Sequence, residues 1–71
     1  MIIKLHDGSI LNTKNIEWVG PILYPHWIAT FEVGFFHGRQ PFVMSAEDEN
    51  LDKLKNDREL IIRTIEEENE I

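Results

Sequence analysis

The chain has no cysteine. That excludes disulfides, thiolate metal sites and cysteine nucleophiles together, and it fits a reducing compartment. No apolar run approaches membrane-spanning length, and Met1-Ile2-Ile3-Lys4-Leu5-His6-Asp7 turns polar too early for a signal peptide. A cytoplasmic protein without membrane contact is the expectation. The four glycines are scattered, so no glycine-rich phosphate loop can form. Ser9 and Ser45 stand outside any nucleophile-elbow context; a hairpin and a helix N-cap account for them.

Positive charge is also scarce. Seven Lys and Arg face thirteen Asp and Glu, a net charge of −6. The imbalance is local. Up to residue 45, Lys4, Lys14 and Arg39 offset Asp7, Glu17 and Glu32, whereas residues 46–71 carry four cations against ten acids. A surface of this sign repels phosphate backbones and anionic lipid, so direct nucleic-acid binding is not expected.

Three histidines are the remaining candidates for chemistry. In an up-and-down meander His6 and His26 share one edge of the sheet, while His37 lies about 30 Å away at 3.3 Å per residue. His6, Asp7 and His26 form the one conceivable two-histidine, one-carboxylate metal site, although nothing in their spacing demands it. No cofactor, metal or catalytic residue is expected. The carboxylates cluster as solubilising charge rather than as an acid/base pair in a cleft.

What the chain does have is a long alternating segment, Trp27 to Phe36. Trp27, Ala29, Phe31, Val33 and Phe35 point one way; Ile28, Thr30, Glu32 and Phe36 point the other, the pattern of a strand with one buried face. Shorter strands are expected at Met1–His6, Ser9–Leu11, Ile16–Val19 and Gln40–Met44, with hairpin turns at Asp7-Gly8 and His37-Gly38-Arg39. Gly34 hints at a bulge that would decide which phenylalanine faces inward. Pro41 places the last strand at an edge.

From Ser45 onward the pattern is helical. Leu51, Leu54, Ile61, Ile62 and Ile65 fall within about 100° of arc, but Arg58 interrupts their stripe and Leu60 points away. A break capped by Asn56, with Glu59 completing a capping box, is the alternative to one long helix. The last residues, through the acidic run ending at Glu70, are expected to fray, since acids there oppose the helix dipole.

The fold expected is therefore α+β in a single domain, residues 1–71. A meander-like antiparallel sheet of four to five strands (1–44) carries one long or two short C-terminal helices (45–71) on one face. Between Gly20 and the long strand lies Pro21-Ile22-Leu23-Tyr24-Pro25-His26, apolar and stiffened by proline. Ile22, Leu23, Tyr24 and His26 are the candidate partner-binding residues of a non-catalytic protein-interaction module, a small regulator or inhibitor, with the acidic tail as a second contact. One alternative is an acidic inhibitor of the kind phages and mobile elements carry, mimicking nucleic acid. Another is a small metal-dependent enzyme using His6, Asp7 and His26. Ile28 and Phe36, on the second face of the long strand, suggest a symmetric homodimer through that face or the neighbouring edge strand.

Overall fold

The computed structural model describes residues 1–69. In chain order it contains β1 (Ile2–Lys4), β2 (Ile10–Asn12), β3 (Ile16–Val19), β4 (Ala29–Phe35), β5 (Phe42–Ala46) and one helix, α1 (Leu51–Asn69). Short 3-10 turns at Thr13–Asn15 and Asp48–Asn50 precede β3 and α1. The fold is α+β and every strand pairing is antiparallel. The five strands divide between two sheets, β1-β2 and β3-β4-β5. The divider is the turn at Thr13–Asn15. There the Asn12 side chain accepts the Lys14 N–H at 3.1 Å, which turns the backbone out of the ladder before β3 begins.

The reversal between β1 and β2 uses three residues, His6, Asp7 and Gly8, not an Asp-Gly pair. Leu5 N–H donates to the Ser9 carbonyl at 2.8 Å, and Gly8 N–H donates to the Leu5 carbonyl at 3.0 Å. Gly8 takes φ of 93°, the left-handed position that closes such a loop. The Asp7 carboxylate accepts the Ser9 N–H at 2.9 Å.

β4 is paired on both sides and keeps the expected alternation. Ala29, Phe31 and Val33 are buried, Glu32 is exposed and Phe35 is half-buried. Trp27 does not continue it. It lies before the strand, in the bend that follows Pro25, and is 86% exposed. The register irregularity sits on β3, where Ile16 faces Phe35 and Trp18 faces Gly34, leaving Glu17 as the extra residue. That extra residue buries Ile16 and turns Trp18 to the outer face. A Cβ on Gly34 would land on the Trp18 indole, so only glycine lets the ring lie across β4 there.

β5 runs two residues beyond its expected end. Ser45 and Ala46 belong to the strand, and the helical region starts from Glu47 without a side-chain cap hydrogen bond. Pro41 falls just outside β5, which is an edge strand. α1 then runs unbroken through Asn56, so this region, among the described residues, is one helix and not two. Its buried stripe is Leu54, Asp57, Ile61 and Thr64, rotated from the stripe that hydrophobicity alone suggests. Leu54 and Ile61 reach the same core as Phe31 and Val33. Arg58 is accommodated at the stripe's border because its Nε–H donates to the Gly20 carbonyl at 2.9 Å. The helix is regular to Asn69; what the sequence suggests for Glu70 lies outside the described residues.

Candidate functional site

The exposed segment 20–28 has a fixed base. Gly20 N–H donates to the Glu32 carbonyl at 2.8 Å, while Arg58 holds the Gly20 carbonyl from α1. Ile22 is half-buried and packs against the core. Leu23 and Thr30 then exchange both backbone bonds, Leu23 N–H to Thr30 at 2.7 Å and the reverse at 2.8 Å. The β3–β4 connection is thus an extended hairpin stitched up to Leu23, with Pro25 restricting what remains. At its tip the side chains of Leu23, Tyr24, Trp27 and Ile28 are all exposed. A shallow depression beside it is lined by Trp27 and Ile28 on one wall and by Glu47, Asp48 and Glu49 on the other.

Of the sequence candidates, Leu23, Tyr24 and His26 lie exposed on this tip, whereas Ile22 serves as its anchor. Trp27, the most exposed large apolar residue of the tip, escapes sequence reading because strand parity places it on the core face. The available signal was Pro25 two residues earlier, which disfavours a ladder running through 27. Ile28 and Phe36 are not brought together. They lie beyond opposite ends of β4, eight residues apart, roughly 25 Å at 3.3 Å per residue.

His6 is engaged elsewhere. Its Nδ1 bonds an oxygen of Asp57, and its backbone N–H is within 3.2 Å of both carboxylate oxygens. Asp57 is buried on α1, so this contact ties the helix to the β1–β2 hairpin. His26 stays on the tip. Among the described residues no three His, Asp or Glu side chains are gathered to hold a metal ion, so His6, Asp7 and His26 form no such site. A second tie lies further along α1, where Glu68 accepts from the Thr13 hydroxyl at 2.5 Å and pairs with the Met1 α-amino group. Thr64 turns its hydroxyl to the Leu60 carbonyl of its own helix at 2.7 Å.

These contacts predict an acid response. Hydrogen bonding from the Met1 amino group, then from Thr13, holds Glu68 below its ordinary value of 4.5. The Ser9 backbone N–H lowers Asp7 in the same way. A depressed carboxylate stabilises the fold above its unfolded value, and this is lost as pH falls through the lower folded value. The melting temperature is expected to fall as pH drops below about 4.5, and Glu68→Gln should flatten part of that fall. An identical acid slope in Glu68→Gln would remove Glu68 from the explanation.

Comparison with protein-family models, with curated proteins and with solved structures finds no match to this chain.

Proposed function

We propose that the protein is a non-catalytic interaction module that binds another protein through the hairpin tip, with Trp27 and Tyr24 as anchors and Leu23 and Ile28 beside them. The observation that carries this reading is Trp27 at 86% exposure on a loop whose base is pinned on both sides. In a chain of 71 residues, leaving the larger of the aromatic side chains in water forgoes core that the fold can ill spare. Burying one such ring removes roughly 150–250 Å² from water, which at about 25 cal/mol per Å² is about 4–6 kcal/mol before the costs of association. The pinned base reduces the ordering cost on binding.

The distribution of charge supports this reading over a nucleic-acid mimic. On α1 the acids alternate with Lys53, Lys55 and Arg63, so the outer face offers no uninterrupted phosphate-like row. The unmixed acids, 47–49 and 66–68, sit at opposite ends of a helix about 28 Å long at 1.5 Å per residue.

Affinity capture from the native cell with the wild type, Trp27→Ala and Ile10→Ala tests the proposal, since Ile10 is an exposed apolar residue away from the tip, on β2. A partner held by the wild type and by Ile10→Ala should be lost with Trp27→Ala. A hot-spot aromatic is worth 2 kcal/mol or more, about thirtyfold in affinity. Trp27→Ala should leave the melting temperature within a degree or two, because the side chain is almost wholly in water. Retention of the same partner by Trp27→Ala would refute the assignment of the tip.

A further inference from the structure

The far edge of β5 has no partner. β5 ends the order β3-β4-β5, and among the described residues it makes no backbone hydrogen bond beyond its pairing with β4. Its sequence, Phe-Val-Met-Ser-Ala, has no charge, and Pro41 stops one residue short of it. Soluble proteins usually blunt such an edge with lysine, proline or a bulge, and here none lies inside the strand. Val43 and Ser45 stand exposed beside it.

Charge around the edge selects what it takes. Arg39 precedes β5, lies over the Phe35 ring at 5.4 Å and pairs with no carboxylate among the described residues. Glu47, Asp48 and Glu49 follow β5, and they too lack a cation. Positive before the strand and negative after it is the arrangement that antiparallel self-pairing makes complementary. With Met44 on a two-fold axis, Phe42 faces Ala46 of the second copy, and beyond the ladder the Arg39 end of one strand meets the acidic 47–49 end of the other. Parallel pairing would set like charges side by side.

We propose that β5 pairs with β5 of a second copy of this chain about a two-fold axis, joining two three-stranded sheets into one of six. The pairing is isologous, so it closes at the dimer and removes the open edge from both copies. The Tyr24 and Trp27 tips lie at the Ala29–Ala46 end of each sheet. They remain accessible at opposite ends of the six-stranded sheet, and the dimer presents the binding surface twice.

Sedimentation equilibrium of the full chain, in a series reaching about 1 mM so that weak association registers, tests the pairing. The wild type is expected to be dimeric at the upper end of the series. Val43→Lys and Ser45→Lys, both at exposed positions and checked for an unchanged melting temperature, should shift it to monomer. Arg39→Glu should raise Kd about tenfold by setting like charges opposite each other, and adding Glu47→Lys and Glu49→Lys should restore the dimer. A monomer throughout the series, a dimer indifferent to both lysines, or one indifferent to the charge reversals overturns the proposal.

Discussion

Phe31→Ala is expected to destabilise the protein by about 3–5 kcal/mol, the range for truncating a buried phenylalanine. Phe31 is 1% exposed at the centre of β4, opposite Met44, with Ala29 and Val33 on the same face and Leu54 and Ile61 of α1 in the same cluster. β4 is held by β3 on one side and β5 on the other, so the backbone cannot close over the cavity. Ordering 71 residues costs on the order of 100 kcal/mol at about 1.5 kcal/mol each, and the net stability of small domains is a few kcal/mol. A loss of this size removes much of it. Glu32→Ala, one residue along and exposed on the outer face, should change stability by less than about 0.5 kcal/mol. Urea midpoints at constant slope compare the two. Equal sensitivity would show that the outer face of β4 is covered as well as the inner.

Asp57→Ala should rank next, at about 2–4 kcal/mol. Its carboxylate is buried and takes both the backbone N–H and the ring nitrogen of His6. Removing it strands a backbone donor at the hairpin and opens the helix stripe between Leu54 and Ile61. His6→Ala keeps the backbone N–H and loses only the ring, so it should cost less, about 1 kcal/mol. The double variant should cost less than the sum of the two, because both delete one contact. Thermal or urea unfolding of the three variants checks this. His6→Ala costing more than Asp57→Ala would mean that the imidazole packs for its own sake and the carboxylate is incidental.

Periodicity made β4 legible from Ala29 to Val33, because a period of two survives whatever packs on it. It does not say where the strand starts, and Trp27 was carried along by parity. The existence of α1 was equally plain, and its continuity through Asn56 follows once Arg58 has the Gly20 carbonyl to bond. The rotation of the helix was not legible. Asp57 and Glu68 face inward because His6, Thr13 and the Met1 amino group wait there, and nothing near residues 57 or 68 announces partners so far along the chain. The exposed apolar hairpin was visible as an odd composition between two prolines. Which of its residues anchor and which protrude depended on the Leu23–Thr30 bridge, a pairing that two isolated backbone bonds make without a strand pattern.

The polar ties of α1 also order the events of folding. β3, β4 and β5 are neighbours in sequence as well as in the sheet, so their ladder closes through short loops. The polar contacts that dock α1 join residues 38, 51, 55 and 67 positions apart, and the helix brings Leu54 and Ile61 as fully buried apolar side chains with Leu51, Leu60 and Ile65 half-buried beside them. An isolated 19-residue helix is marginal in water until something receives its apolar face. Loop closure therefore favours the meander forming before the helix docks, an order that stopped-flow refolding of Phe31→Ala and Ile61→Ala variants would check. Until the helix docks, the inner face of Phe31 and Val33 is open to water. The helix is the element that covers that face, so whatever loosens its docking uncovers the centre of the sheet.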